Sequence, residues 1–206
     1  MSLSSTRRGM AALLALCALG APLRAQDLDP LARLDSSSRR IVAALVDSAR
    51  AEGLPTKQLV SKAQEGVSKH ADAEHILSAV RVVFRSLREA RTTLGGKANP
   101  EDLDAAAAAL QAGILPSAIT DLQTARRGKP MTVPLVVLAD LVTRGVPREV
   151  ASSAILQLSM GGAGDGDLLD LSHGVQQDIL SGAAPGDALK QRVRQIPVKL
   201  PPSKAP

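Results

Sequence analysis

The segment "GLPTKQL" at residues 53–59 contains a helix-boundary signal that recurs along the chain. A glycine is followed two positions later by a proline, and an apolar residue comes four positions after the proline. Glycine often ends a helix because it tolerates positive φ, and proline suits the first helical turn. "GVPREVA" (145–151) repeats this form, and "GILPSAI" (113–119) and "GAAPGDAL" (182–189) carry one additional residue. The signal predicts a chain built of short helices.

Two degenerate copies extend the pattern. "HADAEHI" (70–76) follows the first signal by 17 residues, and "GAGDGDL" (162–168) follows "GVPREVA" by the same 17 residues. The segments that begin at 45 and 137 align without a gap at an offset of 92 residues. This self-similarity predicts two related three-helix units within a stack of helical hairpins.

The fold class that follows is all-α. Apolar residues at 4-3-4-3-4 spacing, from Ile76 to Leu94, indicate a central packing helix, and no segment alternates with period two as a strand would. About nine short helices are expected in one domain over 38–195. Their predicted bounds are 38–52, 55–65, 72–94, 100–112, 116–127, 132–144, 147–160, 166–181 and 185–195.

The first 25 residues have the layout of a secretory signal peptide. Arg7 and Arg8 precede an apolar run at 10–19 that is too short to span a bilayer, and Ala25 is the favoured cleavage position. Cleavage after Gly20, a twin-arginine route and lipidation at Cys17 stay open. The mature chain is then expected to have a polar leader (26–37), the helical domain, a disordered Pro-rich tail (196–206) and no transmembrane segment. We expect an exported protein, either periplasmic or extracellular.

Signal removal changes the charge and the cysteine count. The 25 basic residues fall to 22 against 20 acidic ones, so the concentrated basic footprint that favours nucleic acid is lost. The only cysteine, Cys17, leaves with the signal, which excludes disulfides and thiolate metal sites in the mature chain. A chain with no Trp, no Tyr and one Phe lacks stacking platforms for bases or sugars.

The segment "GLPTKQLVSKAQEGVSK" (53–69) resembles uncharacterised exported bacterial all-helical proteins with repeated G-x-P helix starts. The resemblance covers 17 residues and implies an exported, bacterial, helical protein. It implies no activity and no characterised family.

One short segment contains four side chains of the types that bind metal ions. "HADAEH" places His70, Asp72, Glu74 and His75 within six residues. Zinc proteases use histidines at i,i+4, which share a helix face, whereas i,i+5 separates the two rings by about 140° on a regular helix. The repeat alignment puts His70 at the helix stop and Asp72 at the helix start, so we favour a capping role. A loop-assisted metal site, and with it a metal-dependent hydrolase, stays as an alternative.

A candidate interaction surface lies on the third helix. Arg81, Arg85 and Arg88 follow i, i+4, i+7 spacing opposite much of the apolar face, where an acidic partner or lipid headgroup could dock. The alternative is a solvated face on which Glu89 pairs with Arg85.

Three other patterns carry weaker signals. "GGAGDGDLL" (161–169) is similar to a calcium-binding nonapeptide, but it occurs once, so Asp165 or Asp167 is expected to cap a helix. Lys62, Glu65 and Lys69 are expected to form an exposed ion-pair row. His173 stands alone on a predicted helix. No nucleophile elbow, phosphate loop or dinucleotide motif is present, although a serine–lysine pair needs only spatial proximity.

These patterns favour a non-enzymatic protein-interaction or scaffold module whose partner is another envelope protein, with no cofactor and no nucleic acid. The first alternative is the binding of a lipid or another small apolar or anionic ligand between helices. A metal-dependent hydrolase is the second.

Overall fold

The computed structural model describes residues 30–196, which form nine α-helices, one short 3₁₀ helix at Pro30–Arg33 and no strand. The predicted all-α fold is therefore confirmed for this part of the chain. The predicted signal peptide and nearly all of the predicted tail lie outside the described residues. The α-helices are α1 (Ser36–Ala51), α2 (Lys57–Ser68), α3 (Ala73–Leu94), α4 (Pro100–Gln111), α5 (Pro116–Arg126), α6 (Thr132–Thr143), α7 (Arg148–Met160), α8 (Asp165–Leu180) and α9 (Pro185–Val193).

Most predicted helix ends agree with the structure within two or three residues. The N-cap of α1 is Asp35, whose side chain accepts hydrogen bonds from the backbone N–H groups of Ser37 and Ser38, both at 2.9 Å. Carboxylates are strong N-caps, so α1 begins at Ser36, earlier than predicted. The predicted polar leader consequently contains the 3₁₀ helix and the first two residues of α1.

Six helices end in the same hydrogen-bonding pattern. A residue at positive φ donates its backbone N–H to the carbonyl three positions earlier, and the next residue donates to the carbonyl five positions earlier. This arrangement satisfies carbonyl groups that a helix end would otherwise leave unpaired. Five copies use glycine, and the sixth uses His70 with φ 55°. The positive-φ residues are Gly53, His70, Gly113, Gly145, Gly162 and Gly182.

The helices pack in two layers. The odd-numbered helices lie side by side, α1 on α3, α3 on α5, α5 on α7 and α7 on α9. In the second layer α4 packs on α6 and α6 on α8, while Gln58 of α2 donates from Nε2 to the Asp104 carbonyl of α4 at 3.2 Å. The 3₁₀ helix packs on α2 at the beginning of this layer. Stacked hairpins of this kind bury one continuous core between the layers.

α2 and α3 approach each other closely at a glycine. A Cβ built on Gly66 of α2 would lie 2.5 Å from Cγ1 of Ile76, so only glycine fits there without a shift.

Two polar side chains, Asp102 and Arg126, hold the segments next to α5 in place. Asp102 accepts from the Met131 N–H at 2.9 Å and from the Thr132 hydroxyl at 2.6 Å. The buried Arg126 side chain pairs with Asp165 at 2.6 Å, which ties the end of α5 to the start of α8.

Within residues 30–196, no helix is both long enough and apolar enough to cross a bilayer.

Candidate functional site

The strongest candidate site is on the outer side of α3, and we call Arg81, Val82 and Arg85 the α3 arginine surface. All three side chains are exposed, and Val82 keeps 38% of its surface accessible. Among the described residues, neither arginine makes an ion pair or a hydrogen bond. The opposite side of α3 is buried against α1, α2, α4 and α5. A helix held on so many sides presents these groups at fixed positions.

Arg88, the third predicted member, has a different environment. Its Nε lies 3.0 Å from Oε2 of Glu52, which is the residue that ends α1, and its guanidinium lies 5.8 Å from the Phe84 ring centroid. The pair between Arg85 and Glu89 that belonged to the alternative of a solvated face is not formed, and Glu89 makes no ion pair with any described residue. Sequence spacing along one helix could not identify Glu52, since that residue is on a neighbouring helix. Two of the three predicted arginines therefore have no ionic partner within residues 30–196.

The "HADAEH" segment forms the boundary between α2 and α3. His70 occupies the left-handed position that ends α2, and Asp72 is the N-cap of α3, so the capping interpretation is confirmed. The Asp72 carboxylate accepts from the His75 backbone N–H at 2.9 Å, and its other oxygen lies 2.6 Å from His75 Nδ1. These two contacts, the backbone one first, lower the pKa of Asp72. Glu74 lies in the first turn of α3, where the helix dipole favours an acid.

Across the described range, no three His, Cys, Asp or Glu side chains lie close enough together to hold a metal ion. His75 already contacts Asp72 from its own helix, and His70 belongs to the preceding turn. The segment therefore offers a single histidine–carboxylate contact.

The charged row on α2 is present as predicted. Glu65 accepts from Lys62 at 2.7 Å and from Lys69 at 2.6 Å. The hydrogen bond from Lys62 and then that from Lys69 lower the pKa of Glu65 to about 2. Both pairs are solvent-accessible, so they contribute little to stability, and the two lysines and one glutamate leave one net positive charge on the row.

The glycine-rich segment before α8 uses its acids to start the helix. Gly164 is the N-cap, a correction to the expectation that Asp165 or Asp167 would be. Asp167 instead accepts from the Gly164 N–H at 2.7 Å, and Asp165 pairs with Arg126. His173 is an exposed residue of α8. In the part of the chain that the structure describes, no serine hydroxyl hydrogen-bonds to a lysine amine.

A groove between α7 and α9 was not anticipated from the sequence. Its volume is about 710 Å³, and it is lined by Val150 and Ala154 of α7 and by Leu189 and Val193 of α9. These residues form i,i+4 pairs on both helices, which is a visible apolar pattern. Sequence alone does not show that helices two apart in the chain lie side by side with these pairs facing each other.

Comparison with known proteins adds no family. Scans of protein-family models, curated proteins and solved structures found nothing that matches this chain.

Proposed function

We propose that this protein is an exported, non-enzymatic module that binds another envelope protein through the α3 arginine surface. The observation that carries the proposal is the pair of exposed arginines, Arg81 and Arg85, which lack an ionic partner among the described residues. Export is supported by the signal-like segment 1–25.

The chemistry of the surface indicates the kind of partner. Guanidinium groups bind carboxylates through two parallel hydrogen bonds, and arginine is enriched at the centres of protein interfaces. Val82 adds an exposed apolar side chain beside the two charges. An acidic segment that also carries an apolar residue would match both features. Because α3 is packed on several sides, little ordering is needed when the partner binds.

The proposal is tested by site-specific photo-crosslinking in the source cell. A crosslinker at Val82 should give one discrete adduct, and Arg81→Glu with Arg85→Glu should abolish that adduct. As a matched control, Arg39→Glu with Lys97→Glu reverses two other exposed charges and should leave the adduct intact. An adduct that survives reversal at Arg81 and Arg85 would show that these charges do not recruit the partner.

Salt dependence provides a second measurement on the purified pair. Exposed charges separated by solvent are screened within about 10 Å at 0.1 M salt. Affinity should therefore fall as the salt concentration rises, and the double reversal should remove most of that dependence. Affinity that does not change with salt would contradict an arginine-based contact.

A further inference from the structure

The groove between α7 and α9 lies apart from the α3 arginine surface, near the carboxyl end of the odd-numbered layer. The two helices begin side by side, because a Cβ built on Gly186 would lie 3.5 Å from Cδ of Pro147. From there the groove follows both helices as far as Gln157 and Ile196. Its volume of about 710 Å³ falls within the range of small-molecule sites, which is roughly 300–1,000 Å³.

Five of the ten residues that line the groove are apolar, and both helices contribute to them. Val150, Ala154, Val193 and Ile196 are half-buried, and Leu189 is fully buried beneath them. The four half-buried side chains remain partly in contact with water in the protein alone. An apolar chain laid along them would remove that surface from water, which is favourable. Apolar walls without an aromatic ring offer no stacking platform for a base or a sugar.

The charged groups that line the groove favour an anion over a cation. Glu149 is the one acid in the lining, and its carboxylate already accepts from Arg148 at 2.7 Å. Lys190 has only a long contact of 3.5 Å to Asp187. Arg194, one helical turn after Lys190, has no ion pair with any described residue. The α9 side therefore carries an excess of positive charge beside the apolar walls.

We infer that this groove binds a single-chain amphiphile with one anionic head group, such as a fatty-acid carboxylate. The hydrocarbon chain lies along Val150, Ala154, Val193 and Ile196. The head group meets Arg194 and Lys190, whose N–H groups form charge-assisted hydrogen bonds with its oxygens. The inference does not depend on the arginine surface of α3, so either can fail without the other.

The test uses sodium dodecanoate below its micelle concentration, with isothermal calorimetry for affinity and amide chemical shifts for location. Dodecanoate should bind with one-to-one stoichiometry and shift amides of α7 and α9. Dodecan-1-ol, which has the same chain without the charge, should bind about tenfold or more weakly, as expected for loss of a hydrogen bond to a charged group. Equal affinity for the two probes, or shifts confined to other helices, would overturn the inference.

Two variants with matched controls separate the chain from the head group. Ala154→Leu fills the groove and should abolish binding, whereas Ala43→Leu adds the same volume at an exposed position of α1 and should not. Arg194→Glu is at an exposed position and should weaken dodecanoate binding about tenfold or more while leaving dodecan-1-ol unchanged. Arg39→Glu controls for the change in net charge. Unaltered dodecanoate affinity in Arg194→Glu would remove the head-group contact from the inference.

Discussion

The segments that contain α2–α3 and α7–α8 share the boundary between their two helices but pack differently. Shifted by 92 residues, the start of α3 at Ala73 falls on Asp165, which begins α8, and the end of α2 at Ser68 falls on Met160, which ends α7. The core positions of α2 also correspond to core positions of α7. Leu59, Ala63 and Val67 of α2 align with Ala151, Ile155 and Ser159 of α7, and all six are buried.

The α2–α3 pair and the α7–α8 pair differ in whether the two helices pack against each other. α2 packs extensively on α3, whereas α7 packs on α5, α6 and α9 and has little contact with α8. Gly66 allows the close approach in the first pair, because any Cβ there would meet Ile76. Its aligned residue is Leu158, which is fully buried. Matching boundaries therefore do not determine matching partners, and the aligned position holds a glycine in α2 but a buried leucine in α7.

The largest effect is expected for Leu158→Ala. Removal of a fully buried leucine leaves a cavity that its neighbours fill only in part, so the free energy of unfolding should fall by about 2–5 kcal/mol. Denaturant titration with circular dichroism measures this loss. Leu180→Ala is the matched control, because Leu180 is 79% exposed and its truncation should change stability by less than about 0.5 kcal/mol. Similar losses for both variants would contradict the proposed role of Leu158.

A smaller loss is expected for Gly66→Ala. The new methyl group would lie 2.5 Å from Ile76 Cγ1, and overpacking of this kind costs about 1–3 kcal/mol. The same substitution at Gly166, in the first turn of α8, has open space and a negative φ, so alanine should stabilise that helix by up to about 1 kcal/mol. Opposite signs in the same unfolding assay would confirm that Gly66 is required by packing. A stabilising effect of Gly66→Ala would show that α2 and α3 can separate without loss.

The sequence predicted where the helices begin and end far better than which helices pack against each other. Glycine and proline act locally, so "GLPTKQL" and its copies located the boundaries within two or three residues. The two-residue difference at the start of α1 has a local cause as well, because Asp35 caps that helix. Layer order and the α2–α3 crossing depend on residues far apart in the chain. A glycine in the interior of α2 was the one available signal for the crossing, since glycine weakens a helix and needs a packing reason there.

For the candidate site as well, features within one helix were predicted and contacts between helices were missed. Periodicity correctly placed Arg81, Arg85 and Arg88 on the exposed face of α3. It did not show that Arg88 contacts Glu52 from α1, because that contact crosses between helices. The groove between α7 and α9 was missed for the same reason.

The positive-φ residues that end α2 and α7, His70 and Gly162, can each be replaced by the other's residue type. His70 has φ 55° at the end of α2, where a side chain is strained, and its aligned residue Gly162 has φ 85° with open space around a built Cβ. His70→Gly should raise the free energy of unfolding by about 0.5 kcal/mol, because relief of strain exceeds the added entropy of the unfolded chain. Gly162→His should lower it by about 1 kcal/mol for the converse reason. Denaturant titration of both variants measures the exchange, and effects of the same sign would contradict it.

The smallest effect on stability is expected for Glu65→Gln, which replaces Glu65 of α2 by the residue type of its aligned position in α7, Gln157. Hydrogen bonds from Lys62 and Lys69 lower the pKa of Glu65 to about 2, from 4.5. The carboxylate therefore stabilises the fold above the unfolded pKa, and this contribution is lost as the pH falls from 4.5 towards 2. Glu65→Gln removes the titrating group and makes α2 resemble α7. The melting temperature of the wild type should exceed that of the variant by more at pH 6 than at pH 2, and 1 M salt should reduce the difference because the pairs are solvent-accessible. A gap between the two melting temperatures that is the same at both pH values would show that the charged row does not stabilise α2.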